Sequence, residues 1–234
     1  MSWSSASCSD AALILTTFCP YYFATSDIVN SGAIGSFISI ATEHDGKLRA
    51  MAIEAMRVLS EDTSSKRRTR IQLCEEGAAN SLGRTLLDDV KELHDVIKFS
   101  SRGKNNDVLQ SLSELHDALC TLANILEPIQ PGKSTTTKLL FVPTNSDPSQ
   151  HLIKGCIQIV ESGGLDSLLW ISSIPLATQP VWGSPESEAQ LVDLLEEASR
   201  SLASLFPLLL SKEPAMKGYS SCAIRVFEDR KSVV

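Results

Sequence analysis

Histidine and cysteine are the residue types in this 234-residue chain best suited to metal or nucleophilic chemistry, with four of the former and six of the latter. His94 and Asp95 lie in one predicted helix and His116 and Asp117 in the next, so packing of the two helices would bring two imidazoles and two carboxylates together. A metal site requires that convergence. Surface or hydrogen-bonded histidines explain the same residues without further assumptions, and we therefore expect no metal ligands and no cofactor.

The usual sequence patterns of enzymes are missing. Residues 132–134 read Gly-Lys-Ser, as at the end of a phosphate-binding loop, but that loop needs a glycine at position 127, which is Glu127. The G-x-S-x-G elbow, the H-E-x-x-H zinc motif and the C-x-x-C redox motif do not occur. We therefore expect a non-enzymatic protein without catalytic residues, and a helical-repeat enzyme is the least favoured alternative.

The composition favours an all-α protein. Hydrophobic residues make up 43% of the chain and aromatic residues only 6%, while Leu, Ala and Ile are common, a balance suited to helices packed on helices. The cysteines fall largely in apolar helical runs, which predicts buried free thiols in a reducing compartment, the cytoplasm or else the nucleus. A net charge of −7 argues against nucleic acid as the partner.

Two segments invite interpretation as targeting signals. Residues 66–70 are a dense basic run, which would suit nuclear import or anion contact, but a solvated turn between two helices is the favoured interpretation. Residues 11–19 are apolar, but no basic residue precedes them and Pro20 ends the run. The run is also shorter than the roughly 20 residues of a membrane span. We expect neither a signal peptide nor membrane association.

Three segments of the chain resemble one another, at residues 28–37, 73–82 and 159–168, each with a glycine at its fifth place. These glycines, Gly32, Gly77 and Gly163, are 45 and 86 residues apart. Helical solenoids have repeats of roughly 40–47 residues, so the spacing corresponds to one step and about two steps. The three glycines are predicted to form bends between helices of successive repeats.

A second recurring element follows each glycine. Ala52, Ala118 and Ala198 each begin a pattern of apolar residues at i, i+4 and i+7, which predicts a helix packed in an inner layer. The last of these helices is expected to begin at Pro185, capped by Ser184, and to stop at Pro207. The middle one is predicted to start after residue 106 and end before residue 128, and another helix is predicted through residues 86–97.

These features resemble the armadillo repeat family, in which a short helix, a glycine bend, a second helix and a long third helix form one repeat. Gly32 and Ala52 are 20 residues apart, as in that family, whereas the later pairs are 41 and 35 apart and imply insertions. The resemblance implies an alpha-alpha superhelix, a right-handed solenoid of about three to four repeats with polar loop insertions; HEAT-like repeats are the alternative. The single domain would span residues 1–234, with an incomplete repeat at 1–22, repeats at about 23–65, 66–128 and 150–206, a partial repeat at 207–234, and insertion loops at about 128–149 and 174–184.

The resemblance also implies a groove along the third helices. Armadillo proteins of the importin-alpha type bind import signals with a Trp and, four residues later, an Asn on each third helix. Of the matching positions here only Asn124 fits, so a cargo-adaptor role is not favoured. The groove residues expected to contact a partner are Glu54, Asn124, Arg200 and Ser204, and a simply solvated inner face is the alternative.

Two functions follow from this organisation. The favoured hypothesis is a scaffold that binds a protein partner, as an extended peptide or a helix, along the groove. The alternative is a structural segment of a larger helical-repeat protein or complex. An apolar half-repeat at residues 11–19 and an apolar segment at residues 223–227 support that alternative, because exposed apolar ends would stack on further repeats.

Overall fold

The protein is described by a computed structural model over residues 27–61, 67–99, 105–128, 150–174, 185–211, 214–219 and 221. These residues form helices and turns, and no β-strand occurs among them, so the predicted all-α class is confirmed. The helices are α1 (Ala33–Glu43), α2 (Lys47–Ser60), α3 (Arg67–Glu76), α4 (Ala78–Phe99), α5 (Asn105–Leu126), α6 (Gln150–Glu161), α7 (Gly164–Ser172), α8 (Pro185–Leu209) and a short 3-10 helix (Pro214–Met216).

The predicted glycine bends lie at three helix junctions. Gly32, Gly77 and Gly163 directly precede α1, α4 and α7, with φ of +79°, +100° and +82°. Only glycine adopts this left-handed conformation without a steric penalty. The repeated glycine therefore marks the point where the chain turns from one helix into the next.

The helices pack as three successive units. We name α1 and α2 the first unit, α3, α4 and α5 the second unit, and α6, α7 and α8 the third unit. Equivalent helices pack side by side: α2, α5 and α8 form one row, α1, α4 and α7 a second, and α3 contacts α6. Each unit thus buries its apolar faces against the next, which is how stacked repeats share one core.

The predicted inner helices are confirmed by burial. Ala52, Ala118 and Ala198 have no exposed surface, and a single apolar cluster runs from Ile28, just before α1, to Met216 beyond the third unit. Small alanine side chains allow α2, α5 and α8 to lie close to their neighbours. This row of helices therefore forms a continuous layer.

Three helix ends differ from expectation. Helix α8 begins at Pro185 as predicted but continues through Pro207 to Leu209, because a proline near the end of a helix removes only one late hydrogen bond. Helix α5 starts slightly early, at Asn105. The basic run at 66–70 leads into α3 instead of lying wholly in a solvated turn: Arg70 is 4% exposed, and its Nε donates to the Ser60 carbonyl over 2.7 Å.

Several predictions lie outside the described residues. They concern the half-repeat at 11–19, the Gly-Lys-Ser segment at 132–134, the apolar segment at 223–227, nearly all of the two insertion loops and Cys8, Cys19 and Cys222. Within the described ranges, no helix combines the length and the apolar character that crossing a membrane requires.

Candidate functional site

The row of α2, α5 and α8 carries a band of polar side chains on the side away from the core. Residues of this band recur every three or four positions, so they share one face of each helix. They are exposed or half-buried, whereas Ala52, Ala118 and Ala198 of the same helices are fully buried. We name this band the third-helix surface and define it by Glu54, Arg57, His116, Asp117, Cys120, Asn124, Glu197, Arg200 and Ser204.

Asn124 connects all three helices of the row. Its Nδ2 donates to the Ser60 Oγ of α2 over 3.1 Å, and its Oδ1 accepts from an Arg200 guanidinium nitrogen of α8 over 2.6 Å. Both polar atoms of the amide therefore have partners within the protein. In this conformation Asn124 holds the helices in register, and a bound peptide would compete with those hydrogen bonds.

Arg200 and Ser204 are also tied to their own helix. Arg200 forms an ion pair with Glu197 over 3.2 Å, and the Ser204 hydroxyl donates to the Arg200 carbonyl over 3.2 Å. Burial raises the pKa of Glu197, although the charges of Arg200 and His116 oppose that shift. The structure thus brings Asn124 and Arg200 into contact and places Ser204 one helical turn after Arg200 on α8.

Glu54 stands apart from the other predicted contact residues. Its side chain is exposed on α2, and no hydrogen bond or ion pair joins it to another described residue. Three residues further along the helix, Arg57 contacts Asp117 of α5 over 3.0 Å and Glu61 over 2.6 Å. Among the four predicted residues, Glu54 is the one whose charge is available to a partner.

A sulfur–imidazole contact lies at the middle of the third-helix surface. The Cys120 Sγ is 3.5 Å from Nε2 and 3.8 Å from Nδ1 of His116, one helical turn earlier. Asp117 Oδ1 lies 3.9 Å from the same Nδ1. The carboxylate of Asp117 and then the Cys120 sulfur raise the pKa of His116 to about 10, which favours the protonated imidazole at neutral pH.

His94 and His116, the two histidines that a metal site would have required to converge, contact different residues. His94 packs against Trp170 with ring centroids 5.9 Å apart, whereas His116 contacts Cys120. No group of three or more His, Cys, Asp or Glu side chains suited to a metal ion is found in the described part of the chain. The signal for the contact that does form was the i, i+4 spacing of His116 and Cys120 on one predicted helix.

A charged cluster with little solvent exposure joins α2, α4 and α5. A guanidinium nitrogen of Arg49 in α2 is 2.8 Å from Asp89 of α4 and 3.8 Å from Glu114 of α5. Asp89 is 5% exposed, and burial raises its pKa to about 7 against the opposing charge of Arg49. No periodic pattern in the sequence predicts this cluster, since its members come from three helices.

In comparisons with known proteins, no family model and no curated protein sequence matches this chain.

Proposed function

We propose that the chain is an armadillo-like helical solenoid that acts as a non-enzymatic protein-interaction scaffold and binds an extended peptide or partner helix along the third-helix surface. The observation that carries the proposal is the side-by-side row of α2, α5 and α8, whose polar face no other described segment buries. Such a row offers alternating charges and hydrogen-bonding groups along one direction, which suits a linear partner.

The charges of the third-helix surface indicate how a partner would be oriented. Glu54 is exposed on α2, while the cations Arg57 and Arg200 are held by Asp117 and Glu197 on the neighbouring helices. An incoming peptide would therefore meet the unpaired carboxylate of Glu54 first. Since Asn124 is engaged in helix-to-helix hydrogen bonds, we assign initial recognition to Glu54 and stability of the groove to Asn124 and Arg200.

A peptide selection tests this proposal. A library of random peptides is selected on the full chain, and the affinities of recovered peptides are compared between the wild type and Glu54→Lys. We expect charge reversal at Glu54 to weaken binding by roughly tenfold, the size of effect that one interface charge can have.

The matched control is Asp95→Lys, which makes the same charge change on α4, where the Asp95 side chain is 69% exposed. It should leave peptide affinity unchanged. Recovery of no peptide above background, or equal losses in the two variants, would remove the third-helix surface from the proposal.

A second function, stacking onto further repeats, has support from α8. Val192 in α8 and Leu210, directly after it, are 48% and 58% exposed. The half-buried Leu195 and Phe206, which also pack against the core, fall on the same helical stripe. This apolar stripe differs from the third-helix surface of α8 and follows the last of the three packed units. An exposed apolar stripe at the end of a solenoid is what a following repeat would cover.

Sedimentation of the full chain tests self-association through this stripe. Stacking between copies predicts association that increases with concentration and disappears in Val192→Lys/Leu210→Lys. A monomer at every concentration would count against stacking between copies.

A further inference from the structure

Cys120 differs from the other cysteines that the structure describes. Cys74 and Cys156 have no exposed surface, and burial raises the pKa of each thiol to about 12. Cys120 is half-buried on the outer face of α5 and forms no disulfide. Two of these thiols are therefore packed as small apolar groups, whereas Cys120 keeps part of its surface exposed to solvent.

The geometry around Cys120 is fixed by the helix. Residues four apart on a helix are neighbours on its surface, and the Sγ of Cys120 lies 3.5 Å from His116 Nε2. Asp117 stands on the other side of the imidazole, 3.9 Å from its Nδ1. The cluster thus contains a thiol, a proton carrier and a carboxylate on a single rigid element.

The two neighbouring helices complete the electrostatic surroundings. From α2, Arg57 reaches Asp117 over 3.0 Å. From α8, the carboxylate of Glu197 interacts with the charge of His116 and is held by Arg200. The carboxylate of Asp117, followed by the Cys120 sulfur, raises the pKa of His116 to about 10, although Arg57 offsets part of the charge of Asp117. An imidazolium beside a sulfur favours the thiolate, which is the nucleophilic form of cysteine.

We propose that Cys120 is an oxidant- and electrophile-reactive modification site, in which the adjacent His116 stabilises the thiolate and supplies the proton for the leaving group. With hydrogen peroxide, the Cys120 sulfur attacks one peroxide oxygen, so that an S–O bond forms as the O–O bond breaks. The sulfur loses two electrons, and the departing hydroxide takes the His116 proton and leaves as water. The product is a sulfenic acid, and His116 regains a proton from solvent.

This inference stands independently of peptide binding, because it concerns only the chemistry of one cluster. Oxidation of Cys120 would nevertheless affect the third-helix surface, since Cys120 lies one turn before Asn124. Oxidation would place a new polar oxygen beside the amide that joins α2, α5 and α8.

Alkylation at single-residue resolution tests the proposal. The folded full chain is treated with iodoacetamide from about pH 5.5 to about pH 9, a range that spans the ordinary cysteine pKa. Peptide mass spectrometry then gives a separate rate for each cysteine. We expect Cys120 to react at about pH 6 at least roughly tenfold faster in the wild type than in His116→Gln. Cys74 and Cys156 provide internal controls and should remain unmodified.

His94→Gln is the matched control variant, because it removes an exposed histidine that contacts Trp170 and not a thiol. It should leave the Cys120 rate unchanged. If the rate at Cys120 follows the profile of an ordinary thiol, with its midpoint near about 8.5, and is the same in His116→Gln, the proposal is wrong. Circular dichroism checks the fold of each variant; if His116→Gln is unfolded, the wild-type profile alone decides.

Peroxide treatment followed by dimedone trapping tests the oxidation step itself. Dimedone labels a sulfenic acid, so the label should be found at Cys120 and fall at least roughly tenfold in His116→Gln at about pH 6. Absence of label in the wild type, or equal labelling in the two proteins, would overturn the role assigned to His116 in oxidation.

Discussion

The two boundaries between the helical units differ in the contacts that dominate them. Where the first unit meets the second, buried and half-buried charges cross the boundary, with Arg49 on Asp89 and Arg57 on Asp117. Where the second unit meets the third, glycines bring backbones together: a Cβ added at Gly164 would lie 2.9 Å from the Gly83 Cα. We name these the charged boundary and the glycine boundary.

The glycine boundary uses neutral acceptors for its hydrogen bonds. Lys154 donates to the Glu75 carbonyl, Gln158 to the Cys74 carbonyl and Arg200 to the Asn124 side-chain amide. None of these acceptors changes protonation near neutral pH. The charged boundary, in contrast, contains Asp89, whose pKa of about 7 lies where small changes of pH alter its charge.

The comparison shows that one arrangement of helices tolerates two kinds of contact with different sensitivities. Backbone approach through glycine is intolerant of any added side chain, because a packed interface cannot absorb the extra volume. Buried charge is intolerant of losing one partner, because the remaining ion is left in a poorly solvated place. The two boundaries should therefore respond to different perturbations.

The largest expected effect is at the glycine boundary, from Gly83→Ala. A Cβ at this position would lie 1.9 Å from the Ser162 Oγ and 2.9 Å from the Ser162 Cβ, inside van der Waals contact. We expect the free energy of unfolding to fall by about 3 kcal/mol. Urea denaturation followed by circular dichroism measures the change.

The double variant Gly83→Ala/Ser162→Gly is the control, since it removes the two atoms that the new methyl group meets. Most of the lost stability should return. The close-approach interpretation fails if Gly83→Ala alone stabilises the protein by about 1 kcal/mol, as it would in an unobstructed helix.

The next largest effect is at the charged boundary, from Arg49→Met. Burial raises the folded-state pKa of Asp89 to about 7, so the folded protein binds a proton there more tightly than the unfolded chain does. The protonated Asp89 carboxyl therefore contributes to the free energy of unfolding below the ordinary aspartate pKa, and this contribution is lost as pH rises through about 7. Loss of Arg49 raises that pKa further and leaves the Asp89 carboxylate without its cation. We expect a cost of about 2 kcal/mol at about pH 8 and a smaller one at about pH 5.

Denaturant titrations at both pH values measure this difference, with Asp89→Asn as the background that removes the titrating group. In that background Arg49→Met should cost about the same at each pH. A cost in the wild type that does not change between the two pH values would show that Asp89 does not govern the charged boundary.

The sequence revealed local features better than contacts between units. Gly32, Gly77 and Gly163 were predictable because a left-handed bend demands glycine locally, and the buried alanines because helix periodicity is local. Gly83 carried no such signal: it lies inside α4, and its role arises from Ser162, distant in the chain. The pairing of Asn124 with Arg200 likewise depends on the relative position of α5 and α8, which no spacing within one helix encodes.

The smallest expected effect comes from Gly35→Ala, and it asks whether glycine has the same role at both boundaries. Gly35 lies in α1 at the charged boundary, and an added Cβ would meet only Glu76 Oε2, at 3.2 Å. Glu76 is an exposed residue with a flexible side chain, so its carboxylate can move away at little cost. Alanine is favoured over glycine inside a helix, and we expect a gain of about 0.5 kcal/mol in unfolding free energy. Thermal and urea denaturation measure the change in unfolding free energy for this variant and for Gly83→Ala. The two changes should have opposite signs if close backbone approach is confined to the glycine boundary. A loss of stability in Gly35→Ala would instead mean that α1 and α3 also approach too closely to admit a methyl group, and the distinction between the two boundaries would not extend to glycine packing.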